Sequence, residues 1–322
     1  MPDDLNSLVD TLLGEAAKVL LRDEDFGKFL QWGDRTLPSL LGYWGSSPLQ
    51  TVGAEYDQTQ DDKLIGLMAR SLYAAMPLPS RGFRSIQLVL PERHEACCCG
   101  SGQQFKDCCA PLAEALPPFH TELCVGPMLL SLGKGAWAGL PDAHMPVDLV
   151  WSVAYEWLMS GRATEVVRLL APWLPAQGPI PDERADLLDM LGDAYADLSK
   201  PRKRKELAQA MIARGGPVVQ SKGWQRVALM SCDAGQYAAA HEAFKAAQRL
   251  VPDDPDLSIL ELSLLIGEGD VIQLRERADF WVRSLSRRNK NNEFDGLIET
   301  VRDMGVRGNE MLLEVAERHN RA

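Results

Sequence analysis

The chain has 322 residues, 46% of them hydrophobic, and a formal net charge of −11. That length exceeds the roughly 100–200 residues of an ordinary domain, so two or more modules are expected, and the apolar share argues against a disordered chain. The acidic balance disfavours non-specific binding to nucleic acid, although a local basic patch can still grip phosphate.

The start, Met1-Pro2-Asp3-Asp4, has neither the basic residues nor the apolar core of a signal peptide. No window approaches the roughly 20 apolar residues of a membrane helix. The expected location is cytoplasmic.

Residues 4–22 read as an amphipathic helix, because Leu5, Leu8, Val9, Leu12, Leu13, Ala16, Val19 and Leu20 share one stripe. Residues 33–60, rich in Gly, Pro, Ser and Thr around Trp44 and Tyr56, read as loop with short helical turns. Asp61 to Met76 is a second helix with Leu64, Ile65, Leu67, Met68 and Leu72 turned inward, and the Pro77–Gly82 stretch breaks it. Ile86 to Leu90 has the composition of one short strand.

Next comes a dense cysteine cluster. Five of the seven cysteines fall at 97, 98, 99, 108 and 109, and Cys124 and Cys232 stand alone. An odd count without an export signal argues against a disulfide framework and for a metal site. A Cys-x-Cys pair supplies two ligands from alternate side chains of an extended turn. Gly100 and Gly102 let the chain reverse, and a Cys-Cys pair opening a short helix can close a tetrahedron. Four thiolates around a divalent ion leave a charge of about −2, which the backbone N–H groups of Gly100-Ser101-Gly102, with Lys106 and Arg93 nearby, are expected to offset. The cluster does not resemble a hydrolytic site, which usually keeps three ligands, mostly His and carboxylate, and an open position. His94 is its only neighbouring histidine.

The run Cys97-Cys98-Cys99-Gly100-Ser101-Gly102, followed by Phe105-Lys106-Asp107-Cys108-Cys109, resembles the SEC-C motif, the zinc knuckle at the C-terminal tail of the translocase motor SecA. The resemblance implies Zn2+ held by Cys97, Cys99, Cys108 and Cys109. It leaves Cys98 outside the ligand set, at a position where the family often has Pro. Gln103 and Gln104 replace the lysines usual after the turn, which thins the basic surface that some relatives present to the ribosome.

Pro117 to Pro141 holds one helix and a Gly-rich stretch, and from about Val147 helical segments alternate with short Gly- or Pro-containing turns. Residues 221–254 carry Trp224, then Gly235-Gln236-Tyr237-Ala238-Ala239-Ala240, Phe244, Ala247 and Pro252, a register similar to one tetratricopeptide repeat. Leu191-Gly192-Asp193-Ala194-Tyr195 matches a first-helix element, and 151–173 and 260–281 suggest flanking helix pairs. The organisation expected is mostly α: a helical N-terminal segment over 1–90, a zinc knuckle over 91–112, a connecting helical segment over 113–146, and tetratricopeptide-like helical repeats over 147–322.

A repeat stack usually offers an inner face to a peptide or helix. The leading expectation is therefore an adaptor or chaperone-like protein that holds a protein partner, with Trp224, Tyr237 and Phe244 structural and first-helix polar residues such as Gln225 and Ser231 carrying recognition. The alternative is nucleic-acid or ribosome association through the knuckle and two basic runs, Lys200-Pro201-Arg202-Lys203-Arg204-Lys205 and Arg283 to Lys290. No phosphate-binding loop or nucleophile elbow appears, and the five histidines are scattered, so no catalytic residues are assigned.

Overall fold

A computed structural model describes residues 3–38, 58–88, 90–115 and 119–321. Among them are fourteen α-helices and no strand, and sheet-like pairing is confined to two isolated bridges, Ala96 with Gln104 and Ile180 with Gly215. The mostly α expectation holds. No helix among the described residues is long and apolar enough to cross a membrane. The chain divides into two compact units, residues 1–157 and 158–322.

The first unit contains α1 (Asp3–Arg22), α2 (Phe26–Thr36), α3 (Gln58–Ala75), α4 (Ala110–Ala115), α5 (Thr121–Leu132) and α6 (Val147–Met159), the last running just past the boundary. The stripe read from the sequence buries Leu12, Leu13, Ala16 and Leu20 of α1, which packs along α5. Helix α2, not anticipated from the sequence, starts at Asp25, whose carboxylate accepts from the Lys28 N–H at 2.8 Å. It lies on α3 through Gly33, where a Cβ would come within 2.7 Å of the Ala69 methyl. Leu64, Ile65, Leu67, Met68 and Leu72 of α3 are all buried, as their spacing requires.

The break after α3 is a 3-10 turn, Pro79–Arg81, closed by Gly82 at φ 61. The strand expected over 86–90 does not form among the described residues. The Ile86 N–H is taken by the Ala74 carbonyl at the end of α3, 2.9 Å away, and no strand runs beside it to complete a ladder. Residues 39–57, with Trp44 and Tyr56, lie outside the described residues.

The second unit is a succession of helices: α7 (Ala163–Leu170), α8 (Ala185–Asp197), α9 (Pro201–Arg214), α10 (Pro217–Asp233), α11 (Tyr237–Leu250), α12 (Asp256–Glu268), α13 (Val271–Arg288) and α14 (Asp295–Arg321). Each helix from α8 to α14 packs on its sequence neighbour, and α8, α10, α12 and α14 also pack side by side. The sequence shows why. Small residues face one another where α10 meets α11, with Ala228, Ala240, Ala243 and Ala247 buried around Phe244. Gly223 lets α10 press on α9, since a Cβ there would come within 2.9 Å of Ile212 and 3.1 Å of the Ala208 carbonyl. Tyr237 is half-buried and donates its hydroxyl to the Gly267 carbonyl on α12 at 2.7 Å, and Pro252 follows the end of α11.

The interior between these helices is partly charged. Arg226 on α10 is buried and donates to the Asp189 carboxylate at 2.5 Å and to the Asp189 carbonyl at 2.6 Å, and it pairs with Asp193. Lys222, also buried, pairs with Asp256 and lies 3.7 Å from Asp254. Gln225, expected at the recognition surface, is instead buried and consumed. Its amide donates to Asp254 at 2.6 Å and to the Ser221 hydroxyl at 3.3 Å.

Candidate metal centre

The cysteine segment folds as a tight reversal. The backbone pairs across it, Cys97 N–H to the Gln103 carbonyl at 2.8 Å, Phe105 N–H to Glu95 at 2.9 Å, and Lys106 N–H to Arg93 at 3.0 Å. Gly100 and Gly102 occupy the left-handed region at φ 76 and 75, the conformation in which a Cβ would be strained. A 3-10 turn, Phe105–Asp107, then delivers Cys108 and Cys109 to the start of α4.

This path brings Cys97, Cys99, Cys108 and Cys109 together, with their sulfurs all within 4.8 Å of one another. Cys99 Sγ lies 3.5 Å from Cys97 Sγ and 3.5 Å from Cys108 Sγ, and Cys108 Sγ lies 3.9 Å from Cys109 Sγ. A tetrahedral ion with bonds of about 2.3 Å to sulfur requires edges of about 3.8 Å, so the four residues fit a single metal ion. Such a closed sulfur shell would leave no position for a substrate or a reactive water. His94 is exposed and belongs to no metal-ligand group among the described residues; Cys98 lies beside the quartet but outside it.

The electrostatics of the thiols follow from this crowding. Burial opposes ionisation of Cys99, but hydrogen bonding with the Ser101 hydroxyl and backbone, and then with Cys108 and Cys97, outweighs it and brings the thiol down to about 6. Cys109 goes the other way: burial, then the neighbouring Cys97, Cys99 and Cys108, push its thiol well up. The Ser101 hydroxyl also sits 3.3 Å from Cys108 Sγ. Ser101 of the Gly-Ser-Gly turn thus favours the Cys99 thiolate, through its hydroxyl first and its backbone second.

Lys106 and Arg93 are joined through their backbones, Lys106 N–H to the Arg93 carbonyl at 3.0 Å. Helix α3 brings further positive charge that the sequence reading did not name. Burial alone would lower the Lys63 ammonium; contact with the Cys108 thiol, backed by Cys109 and Cys99, raises it. Arg70 donates Nη2 to the Cys98 carbonyl at 3.2 Å, with its guanidinium 5.0 Å from the centre of the Phe26 ring. Between them Leu67 is buried in one apolar cluster with Cys97, Phe105, Cys108, Cys109 and Ala110. Sequence reasoning read Leu67 only as a core residue and did not name Lys63 or Arg70, although the three follow at helical spacing, four and then three residues apart.

Cys124 on α5 and Cys232 on α10 take no part in the cluster. Comparison of the chain with family models, with curated proteins and with solved structures gave no match.

Proposed function

We propose that the chain is a zinc-containing cytoplasmic adaptor. Its SEC-C-like knuckle is a structural zinc site built by Cys97, Cys99, Cys108 and Cys109, and its tetratricopeptide-like helices hold a segment of a protein partner. The observation that carries the adaptor reading is the side-by-side packing of α8, α10, α12 and α14, each followed in sequence by a helix packed on it up to α13. That arrangement builds an extended face of first helices, the part of a helical stack that usually receives a peptide or helix.

Charge supports a protein partner over a nucleic acid. Along α8, α10 and the start of α12, the carboxylates of Asp189, Asp193, Asp254 and Asp256 surround only Arg226 and Lys222. Phosphate would be repelled there. The basic runs are answered in part by local acceptors: Arg202 and Lys203 share Glu206, Arg204 meets Asp233, and Arg288 meets the Asp253 carbonyl. For the ion, four sulfurs at single-ion spacing suit Zn2+, and a reducing compartment keeps those thiols available.

The test is partner capture combined with cross-link mapping, run with and without nuclease, and repeated with Lys203, Arg204, Arg287 and Arg288 changed to Glu. The expected result is cross-links on α8, α10 and α12 and a capture that survives nuclease and the charge reversals. Capture abolished by either treatment would replace the adaptor by a nucleic-acid-associated protein.

A further inference from the structure

We propose that Lys63 and Arg70 of α3 are the charge-balancing partners of the four-cysteine centre, so that a bound metal fastens the knuckle to this helix rather than merely closing the knuckle on itself. The inference rests on the reading that the four cysteines hold one divalent metal ion.

Helix geometry places Lys63, Leu67 and Arg70 on one face, four and three residues apart. That face meets the knuckle. Lys63, Leu67 and Arg70 line one cleft of about 450 Å³ together with Cys98, Cys99, Ser101 and Cys109. Leu67 contributes the apolar part of the contact, buried in the cysteine cluster with Phe105. Arg70 fixes the backbone between the first and second cysteines of the quartet through the Cys98 carbonyl at 3.2 Å. Lys63 and Arg70 are both half-buried, whereas Asp34 and Asp62, which line the same cleft, are exposed and solvated.

The charges add up. Four thiolates and a divalent ion leave about −2, and a partly buried net charge is costly unless paired. One ammonium and one guanidinium on the facing helix bring the assembly to about zero. Because the same face of α3 also packs Leu67 into the cysteine cluster and holds the Cys98 carbonyl, a metal bound there ties the knuckle to the helix.

The experiment measures metal affinity by chelator competition on the full chain, with Zn2+ for affinity and Co2+ for the thiolate-to-metal absorption band. Its variants are Lys63→Met, Lys63→Arg, Arg70→Met, Arg70→Lys, Asp62→Asn and the pair Arg93→Gln with Lys106→Gln. Lys63→Met and Arg70→Met should each weaken Zn2+ binding by about 10- to 100-fold, as loss of an outer partner does at other metal sites. The charge-keeping Lys63→Arg and Arg70→Lys should recover most of that loss. Asp62→Asn should not weaken binding. The Arg93→Gln and Lys106→Gln pair, which removes two positive charges from the knuckle itself, should leave affinity within about threefold, well short of the losses at the facing helix. Far-UV circular dichroism of each metal-free variant separates a charge effect from loss of the helix: a variant that keeps its helix and loses affinity supports the proposal.

Equal Zn2+ affinity and an unchanged Co2+ band in Lys63→Met and Arg70→Met would overturn this inference while leaving the metal centre standing. The same follows if Lys63→Arg and Arg70→Lys lose as much as the Met variants, because packing and not charge would then be at stake. A wild-type chain that takes up neither metal overturns the metal-centre reading and this one together.

Discussion

Arg226 of α10 lies flat across Gly192 of α8: a Cβ built on that glycine would stand 3.1 Å from the arginine Nε and 3.2 Å from its Cζ. The guanidinium cannot retreat, because Asp189 and Asp193 hold it from α8 itself. Gly192→Ala is therefore expected to destabilise the second unit, although alanine is the better helix former by about 1 kcal/mol. Arg226→Met should cost about 3 kcal/mol, because it strands the half-buried Asp189 carboxylate. Urea unfolding of both variants checks this, and Asp189→Asn added to Arg226→Met should recover part of the loss. A stabilised Gly192→Ala would show that Arg226 swings free.

The ligand set is tested by metal content. If the chain takes up zinc as proposed, the expected content is one equivalent; Cys97→Ser, Cys99→Ser, Cys108→Ser and Cys109→Ser should each abolish it, and Cys98→Ser should retain it. The sulfur positions are the reason, since among the described residues those four form the group whose ligand atoms all stand within 4.8 Å of one another. Elemental analysis of the purified variants decides. Zinc lost from Cys98→Ser but kept by Cys108→Ser would reverse the assignment.

Chelation should loosen residues 91–112 and leave most helix intact. The knuckle has only a small apolar cluster around Phe105 and Leu67, so metal is expected to supply much of its folding free energy. The second unit has its own core around Phe244, Leu262 and Trp281. Far-UV circular dichroism should change little on adding a strong chelator, while protease cleavage appears within the knuckle. Collapse of the helical signal would mean that the metal holds the larger structure together.

The parts legible in the sequence were those governed by local rules. The stripe of α1 over Leu12, Leu13, Ala16 and Leu20, the inward leucines of α3 and the Gly-Ser-Gly reversal depend on spacing or on φ, and these are present, while the side chains of Leu5 and Leu8 lie outside the described ones. Helix α2 was hidden because its signal is thin, an Asp25 cap and a single fully buried aromatic, Phe29. The apparent strand at Ile86 failed because β-branched composition says nothing about a pairing partner. The cations of α3 were missed for a related reason. Arg93 and Lys106 are near the cysteines in sequence, whereas Lys63 and Arg70 are near them only after α3 has packed. Gln225 looked available because polar residues are usually exposed. Its partner Asp254 lies 29 residues on, and no local pattern joins the two.

The last expectation concerns pH and Cys124. This thiol is fully buried in α5, and burial, with a smaller contribution from Glu122, pushes it up to about 12. An unfolded cysteine titrates near 8.5. Between those values the folded chain keeps a proton that the unfolded chain releases, so stability falls as pH rises. The loss begins near pH 8.5 and should reach about 1.4 kcal/mol by pH 9.5. Below pH 8 the thiol is protonated in both states and contributes no slope. Urea midpoints of the metal-loaded chain at pH 7.5, 8.5 and 9.5 should show the decline, and Cys124→Ala should flatten it by about that amount, even though Cys232, also raised by burial, keeps a smaller share. The native thiol should also resist alkylation at pH 8 and react once urea exposes it. Rapid alkylation of Cys124 in the folded chain, or an identical pH slope in Cys124→Ala, would show that α5 opens to solvent far more readily than its packing against α1 implies.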